Sequence, residues 1–304
     1  MRVRIIVIVG PTCVGKTGLA IKLATEYNGE IISADSMQVY RYMDIGTAKP
    51  TAEEKGRVKH HLIDVVNPDE EFNAAIYREK AAQVIDDLEK KGKRIFVVGG
   101  TGLYIKALLG GLLRGPGADH RLRALYRDDQ EKYGTDYIYE LLKEKDEKAA
   151  RKIHPNDATR IIRALEYFDN TGESIVMERE KHGFHDQHYD CVKIGLTIDR
   201  DILYDKIEKR ADAMISHGLV EEVEGLMERG YDESMKPMQT MYYRYIIDFI
   251  KGREDKAETV RLLKRDTRRY AKRQLTWFKR DDDIQWFDSH NLDSIRKTID
   301  NYLV

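Results

Sequence analysis

Residues 3–17 of this chain read VRIIVIVGPTCVGKT, an apolar run that leads directly into a glycine-rich loop. The run over residues 3–9 is too short to cross a bilayer and lacks a small-residue cleavage site, so we interpret it as a buried strand. The loop fits the pattern Gly-x4-Gly-Lys-Ser/Thr and precedes a helical spacing of apolar residues. We therefore predict a phosphate-binding loop made of Gly10, Pro11, Thr12, Cys13, Val14, Gly15, Lys16 and Thr17.

The residue types in this loop explain how it would hold an anion. Its glycines let successive backbone N–H groups turn toward a phosphate, and the helix predicted to begin near Lys16 adds its positive dipole end. Lys16 supplies a point charge, and Thr17 is placed to hold Mg²⁺. The pattern indicates a diphosphate group without naming its carrier, because it serves kinases and NTPases as well as enzymes for which diphosphate is a leaving group.

Strand-like and helix-like segments alternate around this loop. Apolar runs predict strands over residues 30–34, 94–98 and 191–198. Amphipathic spacing predicts helices over residues 16–27, 74–90, 201–227 and 255–280. This alternation predicts an α/β fold, in which a parallel sheet is covered by helices on both faces.

The character of the sequence changes near the Gly-Pro-Gly at residues 115–117, after which it is highly charged and helical. We predict an inserted helical subdomain over residues 114–189, with a histidine-containing loop over 181–188. The core domain then comprises residues 1–113 and 190–304. Its segment 251–280 carries twelve Lys or Arg against four Asp or Glu, and this balance of +8 favours contact with a nucleic-acid backbone.

The composition excludes several classes of protein. With 41% hydrophobic residues in 304, the chain can bury a core and is not a disordered tail. Cys13 and Cys191 stand far apart, which excludes a disulfide framework or a structural zinc site. The 52 basic and 53 acidic residues nearly cancel, so whole-chain charge does not decide whether nucleic acid binds. We predict a cytoplasmic protein with no membrane partner.

A carboxylate emerges where the second predicted strand ends, at Asp35. Open α/β sheets bind their ligands at the carboxyl ends of their strands, so Asp35 is a candidate general base, and a turn or helix-capping role is the less favoured alternative. From the residues alone three functions stay open. They are group transfer from a diphosphate substrate to nucleic acid, phosphorylation of a small metabolite, and a non-catalytic RNA-binding ATPase.

Blocks along nearly the whole chain resemble the tRNA dimethylallyltransferase family. They are the loop at 10–17, DSMQVY at 35–40, MDIGTAKP at 43–50, HLID at 61–64, GGTGLY at 99–104, HPND at 154–157 with Arg160 and Arg163, and AKRQLTWF at 271–278. The resemblance implies that dimethylallyl diphosphate occupies the loop with Mg²⁺. It also implies that the acceptor is the N6 amine of the adenine immediately 3′ of the tRNA anticodon, at position 37.

The same resemblance implies roles for individual residues. Asp35 would accept the N6 proton, Arg210 would contact the diphosphate, and Thr101 would contact the acceptor nucleotide. We predict a monomer, because nothing in the sequence indicates an obligate assembly. The residues implied to bind tRNA are Asp35, Ser36, Met37, Gln38, Thr101, Arg123, Thr159, Arg160, Ile161, Ile162 and Arg163.

The chain departs from the family pattern in two places. Cys13-Val14 replaces the usual Ala-Ser in the loop, which removes a hydroxyl but leaves the backbone and Lys16. Tyr242 stands where the family commonly has glycine, and Tyr245 stands where it has an acid. These bulky residues put in doubt the local helix packing and any substrate contact made there.

Overall fold

The computed structural model describes residues 2–113, 115–183, 186 and 188–304. The chain divides into two compact units, one made of residues 1–109 and 188–304 and the other of residues 110–187. We call them the core unit and the insert. Within the described residues no helix is both long and apolar enough to cross a bilayer.

The described residues of the core unit form a six-stranded sheet in the order β3-β2-β4-β1-β5-β6, with every neighbouring pair parallel. The predicted α/β fold is confirmed. The two short strands β3 and β6 were not predicted. In the case of β3, the strand is too short to show any periodicity. The strands are β1 Arg4–Val9, β2 Gly29–Ser33, β3 His60–His61, β4 Arg94–Gly99, β5 Asp190–Thr197 and β6 Ile284–Asp288.

Helices cover both faces of this sheet. Alternate residues of β1 point to opposite faces: Ile5 and Val7 pack in one hydrophobic cluster with α3, α11 and α12, whereas Ile6 and Ile8 pack in another with α1, α10 and α14. The core-unit helices are α1 Lys16–Glu26, α2 Ala52–Arg57, α3 Ala74–Lys90, α4 Gly102–Gly110, α10 Arg200–Ser216, α11 Leu219–Glu228, α12 Met241–Ile250, α13 Lys256–Phe278 and α14 Leu292–Leu303.

The single helix predicted over residues 201–227 is two helices. Gly218 adopts a left-handed conformation with φ of 97° and precedes the first residue of α11, so α10 ends before it. A left-handed backbone cannot continue an α-helix, and glycine adopts it without strain. Leu203, Ile207 and Met214 of the apolar spacing are buried but Ile202 is exposed, and the spacing did not reveal this break.

The insert is helical and has its own apolar core, in which Ile138, Leu142, Ile161 and Leu165 are fully buried. The loop predicted over residues 181–188 lies partly outside the described residues, and residues 181–182 belong to a helix. The helices of the insert are α5 His120–Tyr133, α6 Thr135–Lys145, α7 Glu147–Ala150, α8 Ala158–Thr171 and α9 Ile175–His182.

The strand order identifies the edge where a ligand would bind. The chain leaves β1 toward β2 on one side, and it leaves β4 toward β5 on the other. Because β1 and β4 are neighbours, this is a topological switch point, where open α/β sheets bind ligands outside the carboxyl ends of their strands. The loops that follow β1, β2 and β4 meet at this edge.

Candidate active site

The glycine-rich loop curls around its own lysine. The Lys16 ammonium donates to the carbonyl of Gly10 at 2.9 Å and to that of Pro11 at 2.7 Å. Gly10 and Gly15 have φ of 149° and 104°, which favour glycine. At Gly10 a Cβ would also lie 2.8 Å from the Leu196 carbonyl oxygen, so only glycine fits.

Two cations of this loop region have neutral partners. Arg210 of α10 contacts the Thr12 hydroxyl at 3.3 Å and the Cys13 sulfur at 3.5 Å. Across the described ranges, neither Lys16 nor Arg210 has a carboxylate within ion-pair distance. Burial lowers the pKa of Lys16 to about 8; the Asp35 carboxylate opposes this shift and Arg210 adds to it. An anion that displaced these neutral partners would relieve the mutual repulsion of the two cations.

Thr17 is the second residue of α1 and is partly buried. The described residues hold no cluster of three or more His, Cys, Asp or Glu side chains able to bind a metal ion. Mg²⁺ commonly takes most of its ligands from substrate phosphates and water. A hydroxyl beside an anion-binding loop therefore fits Mg²⁺ as an ion that arrives largely with its diphosphate.

Asp35 follows β2 at the same edge of the sheet. Its Oδ1 accepts hydrogen bonds from the N–H groups of Met37 at 2.8 Å and Gln38 at 3.3 Å. These two hydrogen bonds form a turn, which was the alternative interpretation of Asp35 from the sequence. Within the described part of the chain, no hydrogen bond reaches Oδ2, and the carboxylate acts electrostatically on Lys16. The turn therefore orients Asp35 and leaves one oxygen available for chemistry.

Thr101 ties the end of β4 to the end of β2. Its hydroxyl accepts from the Ser36 N–H at 3.0 Å, and its own N–H donates to the Ala34 carbonyl at 3.1 Å. A Cβ at Gly99 would lie 2.1 Å from that carbonyl oxygen, so glycine is required there. The predicted contact residue Thr101 thus also supports the turn that holds Asp35.

Two other predicted acceptor-site residues are engaged within the protein. The Gln38 amide accepts from the Ser33 hydroxyl at 3.0 Å and donates to the Ala48 carbonyl at 3.2 Å. Met37 packs against the hydrophobic core. Gln38 would have to exchange these bonds before it could read an adenine.

A carboxylate that was not predicted fixes the next part of the chain. Glu222 of α11 accepts hydrogen bonds from the N–H groups of Asp44, Ile45 and Gly46 at 2.8, 2.6 and 3.1 Å, and from the Tyr243 hydroxyl at 2.8 Å. A Cβ at Gly46 would lie 2.7 Å from the Tyr243 ring. In the sequence, this contact was indicated only by the family block MDIGTAKP at 43–50, which contains the N–H groups but not Glu222.

The bulky departures in α12 are accommodated by partners of their own. The Tyr242 hydroxyl bonds the Thr267 hydroxyl at 2.9 Å, and the Tyr245 hydroxyl donates to Asp266. Burial raises the pKa of Tyr242, while the Thr267 hydrogen bond and the nearby Arg210 oppose that shift. The doubt about helix packing is resolved, and Tyr242 lies close to Arg210.

In the insert, two of the predicted tRNA-binding arginines share one carboxylate. Glu166 is fully buried and accepts from Arg123 at 2.9 Å, from Arg163 at 2.7 Å and from the Asp119 N–H at 2.6 Å. Burial alone would raise the pKa of Glu166, but these hydrogen bonds outweigh it and hold the pKa below its usual 4.5.

The remaining predicted residues of α8 divide into buried and exposed positions. The side chains of Ile161 and Ile162 lie in the core of the insert, with exposures of 0% and 7%. Thr159 and Arg160 are exposed, and Arg160 pairs with Asp157 at 3.4 Å. Contact of this segment with RNA would therefore come from Thr159, Arg160 and Arg163.

The chain was compared with known proteins. A family model described as IPP transferase matches residues 38–281. A protein named tRNA dimethylallyltransferase 2 from Syntrophus aciditrophicus is 54% identical, covering 99% of this chain and 96% of its own length. The structure of a tRNA isopentenylpyrophosphate transferase from Bacillus halodurans is 41% identical with a TM-score of 0.71, covering 100% of this chain and 95% of that one. A eukaryotic dimethylallyltransferase described as acting on tRNA is 27% identical with a TM-score of 0.79, covering 99% and 77%. This chain therefore belongs to the IPP transferase family.

Proposed function

We propose that this chain transfers a dimethylallyl group from dimethylallyl diphosphate to the N6 amine of the adenine immediately 3′ of a tRNA anticodon, and releases diphosphate. The observation that carries the proposal is the pairing of two features at one sheet edge. A cationic loop suited to a leaving diphosphate lies within electrostatic range of Asp35, one of whose carboxylate oxygens accepts no hydrogen bond from the described residues. The named activities of its relatives agree with this chemistry.

On the donor side, the loop would bind the diphosphate and stabilise its departure. Loop N–H groups, Lys16 and Arg210 would meet the negative charge that grows on the diphosphate as the allylic C–O bond breaks. Lys16 would exchange its two loop carbonyls for phosphate oxygens. Mg²⁺, held by Thr17 and the diphosphate, would add further charge neutralisation.

On the acceptor side, Asp35 would serve as the general base. The N6 amine is a poor nucleophile because its lone pair is delocalised into the ring, so proton removal assists its attack. The new N–C bond forms while the C–O bond breaks, the N6 proton passes to Asp35, and diphosphate carries away the bonding electrons. The turn at Met37 and Gln38 would keep the free oxygen directed toward the amine.

On the RNA side, we infer that Thr159, Arg160, Arg163 and Arg123 of the insert contact the tRNA backbone, where arginines commonly bind phosphate oxygens. The target adenine must leave its stack before chemistry can occur. Every proposed role uses residues of a single chain, so we infer a monomer. A tRNA substrate also supports the cytoplasmic location predicted from the sequence.

The test is to incubate the protein with Mg²⁺, dimethylallyl diphosphate and unmodified tRNA carrying adenine at position 37, then to weigh the nucleosides after digestion. We expect an isopentenyl-adenosine peak. Asp35→Asn should reduce its rate of formation by about 10²-fold or more, because the amide still accepts the turn hydrogen bonds but is not a base. Asp87→Asn, at an exposed position of α3, is the matched control.

Two alternatives predict different outcomes when ATP, with or without a small acceptor, replaces dimethylallyl diphosphate in the assay. A metabolite kinase would consume ATP with a small acceptor, and an RNA-binding ATPase would release phosphate on adding tRNA without modifying it. Neither activity needs dimethylallyl diphosphate. If folded protein binds tRNA and forms no modified nucleoside, the transfer proposal is wrong.

A further inference from the structure

One buried side chain in α13 joins the loops that follow β1 and β4. Gln274 is only 7% exposed. Its Oε1 accepts from the Thr12 N–H at 2.8 Å, and its Nε2 donates to the Gly100 carbonyl at 3.0 Å. Both functional ends of the amide are therefore used, one on each loop.

The glycines of the β4 loop allow this close approach. A Cβ at Gly100 would lie 2.2 Å from the Gln274 nitrogen, and a Cβ at Gly102 would lie 2.0 Å from the Trp277 indole nitrogen. A larger residue at either position would displace the Gln274 amide or the Trp277 indole from the loop. The Gly-Gly-Thr-Gly sequence at 99–102 is thus matched to the helix that covers it.

The two contacts of Gln274 lead to opposite partners in the proposed reaction. On the donor side, the Thr12 hydroxyl contacts Arg210. On the acceptor side, Gly100 precedes Thr101, whose hydroxyl accepts from the N–H of Ser36, the residue after Asp35. A shift of either loop would therefore change the distance between the diphosphate and the base.

We propose that Gln274 is a positioning residue for group transfer, which fixes the donor loop relative to the turn that holds Asp35. The inference rests on the proposed function. Displacing reacting groups by about 1 Å can cost about 10²-fold in rate, even where each substrate still binds. The role requires an acceptor and a donor on one side chain, which an amide supplies and a carboxylate does not.

Two variants test this role. Gln274→Met removes both hydrogen bonds at similar size, and it should lower kcat by about 10²-fold while the KM of each substrate changes less than threefold. Gln274→Glu should lose as much at neutral pH, because a carboxylate faces the Gly100 carbonyl. Its protonated form can both accept and donate, so its kcat relative to wild type should rise at least tenfold as pH falls from 8 to 5.5. Gln285→Glu, exposed on β6, is the matched control and should follow wild type at every pH.

The possible outcomes distinguish failure of this inference from failure of the proposed function on which it rests. If the wild-type protein forms no isopentenyl-adenosine, the proposed function fails first. If the wild type is active, the positioning role is wrong when Gln274→Met keeps kcat within threefold, when its loss appears only in the KM of one substrate, or when the Gln274→Glu ratio is independent of pH. If Gln274→Glu does not fold, as judged by circular dichroism, Gln274→Met carries the test through its split between kcat and KM.

Discussion

The cations of the donor loop and those of the insert are held in different ways. Lys16 and Arg210 contact carbonyl, hydroxyl and thiol groups, all of them neutral. Arg123 and Arg163 are instead held by the fully buried Glu166. A compact diphosphate must have its charge met completely, whereas a long RNA backbone needs cations fixed at defined places. On the proposed function, the loop cations would supply charge to the diphosphate, and the insert arginines would be held at fixed positions for RNA.

Removal of the loop lysine is the strongest test of this difference. Lys16→Ala should lower kcat/KM for dimethylallyl diphosphate by about 10²- to 10³-fold, because a preorganised donor facing developing charge contributes about 3–4 kcal/mol. Steady-state kinetics at saturating tRNA measures the loss. Lys22→Ala, at an exposed position of the same helix, should change little. A loss below tenfold would show that the loop is not organised for charge.

The buried glutamate tests the other side of the comparison. Glu166→Gln should destabilise the insert by about 2–3 kcal/mol, because two arginines lose their shared counter-charge and an amide N–H₂ faces donors. Hydrogen exchange of α5 and α8 in the full chain measures it, with exposed Glu173→Gln as control. Since the pKa of Glu166 is depressed, the wild-type advantage should be present above pH 4.5 and shrink as pH falls below it. Unchanged protection would contradict a positional role for Glu166.

The pH dependence of donor binding sharpens the account of the loop. A pKa of about 8 means that the unliganded Lys16 is charged below pH 8 and loses its charge above it. If diphosphate binds the charged form, affinity should fall about tenfold for each pH unit above 8. Calorimetric titration with dimethylallyl diphosphate measures this fall. Lys16→Arg stays charged and should give a flat profile, so a parallel fall in that variant would assign the effect to another group.

The smallest effect is expected at an exposed arginine. Arg160→Gln should weaken tRNA binding about three- to fivefold and lower the salt dependence of binding by about one charge, because it removes one phosphate contact. Binding isotherms at several salt concentrations measure both quantities. Arg151→Gln, which is likewise exposed and paired with an acid, Glu147, is the control. Equal effects of the two variants would remove Arg160 from the RNA surface.

Sequence reasoning recovered those parts of the fold that depend on local pattern. The apolar runs identified β1, β2, β4 and β5, and the loop with Asp35 was visible because each feature lies within one short segment. Glu222 and Gln274 were missed because their partners are distant in sequence: Glu222 binds Asp44, and Gln274 binds Thr12. No periodicity or motif spacing reports such contacts, which form only when the sheet assembles.

The order of strands also sets the distance between the loop after β1 and the carboxylate after β2. Neighbouring strands of a sheet lie about 4.8 Å apart, and β4 separates β1 from β2. The loop after β1 and the carboxylate after β2 therefore start about 10 Å apart. That interval leaves room for an allyl group and the edge of a purine between a phosphate and a base. On the proposed function, the position of one strand thus sets the separation across which the donor and the acceptor must meet.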